Sequence, residues 1–354
     1  MAIQIDLRVP PCKPVTELAD FARQAEDAGF DGVGVLDSQL LERDVFVSMA
    51  FAVQATERIR ISSAVINPVT RHVSVLASAM KTVAELAPER VEFWMGRGFS
   101  SVQTVGVRPA SVRQMRRAVL TMKELLRGED VAFNDVRSRM RHAGAGPGGS
   151  QHGSDTPPIF IAAHGPRAIE LAGEVADGVL LQVGISPGSV EVARQHLEAG
   201  AKRAGRDPDE IEMALTATTI IHEDQQEARE IARPLCAQRL IETTHEPYLR
   251  AAGIDPQELE IPQGLRELYP DIPHAEDWEE AMRLCQFMPQ DLLAQICDAI
   301  GLIGTPEYCA QRVREAEAQG IKRLYLMTSE TYEFPHRELA AFRDRVFPAL
   351  ASAP

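Results

Sequence analysis

The stretch Ile159-Phe160-Ile161-Ala162-Ala163-His164-Gly165-Pro166-Arg167 joins an apolar run to a glycine and then to a proline suited to the first position of a helix, where its missing N–H costs nothing. Such a turn aims free N–H groups and the positive end of the helix dipole at whatever lies in front of it, which favours an anion such as a phosphate. Gly165 would let the anion approach the backbone, and His164 or Arg167 would add charge. Tight strand–helix turns without a ligand are equally common, so the pattern alone leaves both readings open. Asp37 ends another apolar run, and a carboxylate there needs a partner or a task. Arg71-His72 offers an anion or proton site, against the ordinary alternative of a solvated helix start. Arg97 with Phe99, Gln182, and Thr328-Ser329-Glu330 stand in matching places behind later runs. Ser62-Ser63-Ala64 presents small side chains that would make room for a planar ring.

Several familiar chemistries are missing. There is no Walker A loop, no His-Glu-x-x-His and no Gly-x-Ser-x-Gly elbow. The nine histidines lack metal-ligand spacing apart from loosely placed His142 and His152, so no metal is expected. Five cysteines (Cys12, Cys236, Cys285, Cys297, Cys309) form no Cys-x-x-Cys pair and read as free, buried thiols of a reducing, cytoplasmic compartment.

What would position these residues is a regular alternation of strands and helices. Strand-like runs fall at residues 3–9, 33–36, 59–66, 91–95, 159–163, 178–182, 211–221 and 322–327, mostly separated by helical periodicity. Eight such units favour parallel pairing, which a closed barrel or an open doubly wound sheet would satisfy. No Gly-x-Gly-x-x-Gly opens the first helix, which weakens the open dinucleotide-binding sheet. The fold expected is therefore a (β/α)8 TIM barrel, a single domain over residues 1–354, with reactive residues at strand C-termini and the loops behind them. Residues 143–158, rich in glycine and proline, read as an exposed loop, and Arg137, Arg139 and Arg141 as one face of a solvated edge strand. Residues 238–300 read as a helical insertion covering the mouth or forming a subunit contact, with Tyr248, Tyr269, Trp278 and Phe287 as packing anchors.

A 45% apolar, aliphatic-rich composition fits strands buried on both faces. The net charge of −14 opposes nucleic acid and anionic lipid, and no run is long enough to span a membrane. The first residues read as a strand, not a signal peptide. A small-molecule substrate and a homo-oligomer, taken as a dimer, are the partners expected.

The residues Gly32 to Val47, Ile59 to Arg71, Ala84 to Gly98, Pro158 to Leu181 and the helix start at Gly304-Thr305-Pro306-Glu307 together resemble the bacterial luciferase-like superfamily. The likeness is strongest to its deazaflavin-dependent branch, typified by methylenetetrahydromethanopterin reductases, and it covers nearly the whole chain apart from about 238–300. The resemblance implies a (β/α)8 barrel holding coenzyme F420, or alternatively FMN, in its mouth. It places phosphate contacts at His164 and Gly165, with Gln182 as a further one. It also places a bulged, non-prolyl cis peptide behind the ring at Ala64–Val65. Ser63, Asn67 and Arg97 complete the candidate cofactor contacts.

Two departures bear on proton transfer. Relatives commonly carry Asp-His after strand two, where this chain has Asp37-Ser38, and an acid after strand four, where it has Phe99. Asp37, His72 and Glu330 are the candidates for general acid or base. The activity implied is hydride transfer between F420 and a C=N, C=C or C=O carbon. The alternatives are an FMN-dependent monooxygenase and a barrel that binds a flavin or ligand without turnover.

Overall fold

The structure is a computed structural model and describes residues 3–143, 156–256 and 259–352. Its strands are β1 (Gln4–Val9), β2 (Gly32–Val35), β3 (Arg60–Ile66), β4 (Val91–Met95), β5 (Val131–Phe133), β6 (Val136–Ser138), β7 (Ile159–Ala163), β8 (Gly178–Leu181), β9 (Glu212–Ile221), β10 (Gly301–Gly304) and β11 (Arg323–Thr328). Parallel ladders run β1-β2-β3-β4-β7-β8-β9-β11 and return to β1, which closes an eight-stranded barrel. Closure leaves no free edge, and the surrounding helices bury the outer faces, so near-continuous apolar runs such as Ile159–Ala163 suit these strands.

The units start and stop by local chemistry. Gly29 ends the helix Val15–Ala28 at φ 99°, a left-handed conformation that a side chain would disfavour. Asp44 caps Val45–Ala55 by accepting from the N–H groups of Phe46 and Val47. Ser111 and Gln114 form a reciprocal capping box on Val112–Leu126.

Beyond the eight expected strands there is β10, which pairs with β9 at Thr218–Ile221, past the point where β8 ends. Its four residues include Gly301 and Gly304, too short and too glycine-rich to read as a strand from pattern. The basic segment beginning at Arg137 lies partly in β6, the exposed half of an antiparallel hairpin with β5. Most of the 143–158 loop, including His152, lies outside the described residues.

The segment 238–300 is helical in pieces, Glu246–Ala251, Trp278–Leu284 and Gln290–Ile300, joined by short 3-10 turns. Its apolar residues, among them Leu249, Ile272, Leu293 and Ile296, share a small core with the helix Gln225–Ile241. Tyr248 is buried, and Trp278 and Phe287 pack against this core. Tyr269 is not an anchor, for it stands 62% exposed next to the cis bond to Pro270.

The barrel floor is plugged. Arg323 of β11 is fully buried among Asp6 of β1, Glu92 of β4 at 2.8 Å and Glu212 of β9 at 2.8 Å, and Arg60 joins at 2.9 Å from Asp6. Gly32 makes the approach feasible, since a Cβ there would lie 2.3 Å from the Asp6 carboxylate. Above the ions lie Trp94, Phe160 and Tyr325, with the Arg323 guanidinium 5.1 Å from the Trp94 ring and 5.6 Å from that of Phe160. With its lower half filled, the barrel can accept a ligand only from the C-terminal ends of the strands.

Candidate active site at the barrel mouth

The interior wall changes character near the top. Ala64 and Val65 of β3 and Ala162 of β7 pack on the Trp94–Phe160–Tyr325 layer from above, yet each is only partly buried. Ala64–Val65 is a non-prolyl cis peptide, and the β3–β4 register slips between Ala64 and Ile66, as the resemblance implied. Small neighbours give the bulge room. A Cβ on Gly96 would lie 2.8 Å from a Val65 methyl, and one on Gly34 would lie 3.0 Å from the Ala64 Cβ. The result is a low apolar shelf facing open space.

At one end of the shelf stands a polar cluster of His164, His245, Arg239 and Glu242, whose carboxylate lies 3.0 Å from His245 Nε2. Gly165 is the N-cap of the helix Pro166–Val175, without a side-chain cap, and a Cβ built on it would meet nothing within 4 Å. His164 precedes it, with its ring centroid 4.7 Å from that of His245. Arg239, from the helix Gln225–Ile241, reaches His245 Nε2 at 2.8 Å and the Gln182 carbonyl at 3.3 Å. Burial holds the His164 imidazole below its ordinary range, and the charges of Arg239 and Arg97 push the same way. Burial and Arg239 lower His245 to about 3. His164, Glu242 and His245 lie close enough to share a metal, with ligand atoms within 4.8 Å of one another. A guanidinium 2.8 Å from one of those nitrogens works against a metal cation there, while Glu242, 3.0 Å from the same nitrogen, offsets its charge.

On the opposite side, Asp37 is buried and bonds Arg71 at 2.6 Å and Gln39 at 2.9 Å. Burial raises its carboxyl above the usual range even though Arg71 pulls it down. Glu42, five residues further along the same loop, accepts from the Ser38 N–H at 2.9 Å through one oxygen, and its other oxygen is buried without a partner. Burial pushes Glu42 up to about 7, against the pull of Arg8. Arg8 donates to the carbonyl of Glu330, tying β1 to the loop after β11.

The remaining residues singled out in the sequence divide. Ser63 spends its hydroxyl on the Trp94 backbone of β4, donating to the carbonyl at 3.2 Å and accepting from the N–H at 3.1 Å. Asn67 is fully buried, accepts from the Val69 and Thr70 N–H groups, and donates to Ser101 at 3.2 Å. Both serve the framework of the bulge and its loop. His72 caps the helix Val73–Ala84, and its ring lines a side cleft with Arg97. One Glu330 oxygen is buried without a partner, and burial together with the Glu330 charge raises nearby Glu338 to about 8.

Sequence reasoning passed over Glu42, Arg239 and His245. Glu42 lies in the loop behind strand two, where the strand-end rule points, whereas Arg239 and His245 carry no local signal.

With this geometry established, likeness to known proteins takes on meaning. A sequence profile of the luciferase-like monooxygenases matches residues 3–323. The chain belongs to that family. A 5,10-methylenetetrahydromethanopterin reductase of Methanolobus tindarius is 29% identical over 323 residues, covering 89% of this chain and 90% of that protein. An F420-dependent glucose-6-phosphate dehydrogenase of Nakamurella multipartita is 30% identical over 260 residues, covering 69% of this chain and 74% of its own. The coenzyme F420-dependent tetrahydromethanopterin reductase of Methanopyrus kandleri has the same fold, with a TM-score of 0.77 at 22% identity over 99% of this chain and 100% of that one.

Proposed function

We propose that this luciferase-like protein is an F420-dependent oxidoreductase that moves a hydride between the deazaflavin and a C=N, C=C or C=O carbon of a small organic substrate. The observation carrying the reading is the pairing, in one mouth, of a small-residue apolar shelf with an open, uncapped helix N-terminus at Gly165 beside His164 and Arg239. The glucose-6-phosphate dehydrogenase and the Methanopyrus kandleri reductase, both named as F420-dependent, match this chain over 69% and 99% of its length, which supports the same choice.

The residues fit such a group. Ala64, Val65 and the space left by Gly96 would back a planar ring, and His164, the amides behind Gly165, Arg239 and Gln182 would receive a phosphate. When bound, the deazaflavin supplies or accepts the hydride. The chain's own contribution is to hold the reactants together, keep water out with the segment 238–300, and handle the proton. For the last task Glu42 is the best-placed carboxyl, with a buried unpartnered oxygen and affinity for a proton near neutrality. Asp37 orients the loop through Arg71. A working homodimer belongs to the same reading, supported by Val47, Phe51 and Val75, which stand exposed on adjacent helices. The thiols of Cys12, Cys236, Cys285, Cys297 and Cys309 are unbridged, in keeping with a reducing cytoplasm.

Titration of the purified protein with F420 and with FMN, followed by absorbance and fluorescence, tests the assignment. Micromolar binding of F420 is expected. Micromolar FMN binding without F420 binding, together with substrate-dependent oxygen uptake, would move the protein to the flavin monooxygenases.

A further inference from the structure

Beside the mouth, outside β3 and β4, lies a cleft of about 650 Å³ between the loop Pro68–Val73, the segment Arg97–Ser111 and the helix Val112–Leu126. Its charge is anomalous. Arg97, Arg108, Arg117 and His72 line it and no aspartate or glutamate does, in a chain whose net charge is −14. Elsewhere about half of the arginines are matched to carboxylates, as Arg203 is to Glu170 and Glu174, but among the described residues none of these three forms an ion pair. Arg97 is held in place by donating through Nε to the Ala110 carbonyl. Its charge also reaches His164, so Arg97 lines the cleft and lies within electrostatic reach of the Gly165 end of the mouth. Three uncompensated guanidiniums on a concave wall repel one another and gain most from a chain of anions that replaces the lost counter-charge.

We propose that this cleft is a subsite for a flexible polycarboxylate, namely the oligoglutamate part of the cofactor beyond its phosphate, gripped by Arg108 and Arg117 with Arg97 at the junction. The inference rests on the F420 reading and assigns a further stretch of the same ligand. Guanidiniums pair with carboxylates through two parallel N–H···O bonds, so a run of glutamates suits the wall better than a single anion would. Exposure keeps each pair modest and salt-sensitive, and the gain comes from several pairs acting together.

The test is a fluorescence titration of wild type and an R108A/R117A double variant with three ligands: the deazaflavin head ending at its ribityl chain, F420 without glutamates, and F420 with several glutamates. In wild type the glutamates are expected to tighten binding roughly tenfold at low salt, an increment lost in about 0.5 M salt. The double variant should lose that increment and bind the two shorter ligands as wild type does. Equal wild-type affinity for F420 with and without glutamates would overturn the subsite while leaving the cofactor reading intact. So would a loss in the double variant that is the same for all three ligands. Failure of all three to bind wild type would overturn the cofactor reading and the subsite with it. A glutamate increment that survives in the double variant, alongside lost competition by a phosphorylated substrate, would reassign the cleft to an anionic substrate and overturn its assignment to the cofactor.

Discussion

Asp37, at the end of the second barrel strand, and Arg71, in the loop after the third, stand 2.6 Å apart, and both are largely shielded from water. Arg71 also holds Asp44 at 3.1 Å, the residue that caps the next helix, so one guanidinium fastens two strand ends and a helix start. Removing one partner of a buried pair strands the other charge, a loss of about 3–5 kcal/mol. Arg71→Ala is therefore expected to destabilise strongly, and Asp37→Asn on top of it should restore part of the loss. Burial already raises Asp37, with Arg71 opposing, so the variant moves that carboxyl further up. Between its ordinary range and the raised value the folded state keeps a proton that the unfolded state releases, so the destabilisation must grow as pH rises through that window. Denaturant unfolding at pH 5 and pH 8 measures this, and an equal loss at both would mean that Asp37 is not the charge left behind.

Glu42 makes the second prediction. Its proton is retained up to about 7, whereas an ordinary glutamate releases it near 4.5, so folded stability should fall as pH climbs between those values. Glu42→Gln fixes the neutral form and should flatten that slope. Glu338 titrates near 8 in both proteins, so the difference between wild type and variant isolates Glu42. If the carboxyl delivers the proton that accompanies hydride transfer, wild-type turnover declines above about pH 7. The variant should then lose roughly a hundredfold in rate and all pH dependence in that range. A variant with wild-type turnover and an unchanged pH profile would remove Glu42 from the chemistry.

These two carboxyls also show how far the sequence could be read. The barrel was legible because each unit carries its own signal: an apolar run, a cap, a helical period, as in Ile159–Ala163 followed by Gly165-Pro166. The position of the cis peptide was legible only through family likeness, since nothing in Ser62-Ser63-Ala64-Val65 dictates it locally. Ser63 reads as a cofactor contact because its side chain is small, and Asn67 because it follows a strand end. Whether a polar side chain turns to the cavity or to its neighbour's backbone is decided by packing, and both turn to the framework. Arg239 and His245 were hidden for the opposite reason, because a helix far along the chain delivers them to His164 by tertiary folding alone.

The last prediction concerns how the segment 238–300 is tied to the loops at the strand ends. Ser100, just past β4, donates to one Asp271 oxygen at 2.6 Å, and the other oxygen lies 2.6 Å from His274 Nδ1 and accepts the His274 N–H at 3.0 Å. Tyr332, after β11, donates to the His274 carbonyl at 3.0 Å. A hydrolytic relay would place serine and aspartate on opposite nitrogens of the imidazole. Here both approach Nδ1, and serine gives its proton to the carboxylate, so the trio works as a tether between the segment and two strand-end loops. Burial works against the Asp271 charge, but His274 and Ser100 prevail and hold the carboxyl below its ordinary range. A lowered acid stabilises above its ordinary pKa and loses that contribution only as pH falls through the lower value, so the tether should persist through neutral pH and loosen only in acid. Asp271→Asn is expected to speed amide hydrogen exchange in residues 263–287 by roughly tenfold to a hundredfold at pH 7, with little change in global unfolding. On the proposed role of the segment in keeping water from the mouth, KM should rise more than kcat falls. Exchange rates in Asp271→Asn that match wild type would show that the segment is held by its apolar core alone.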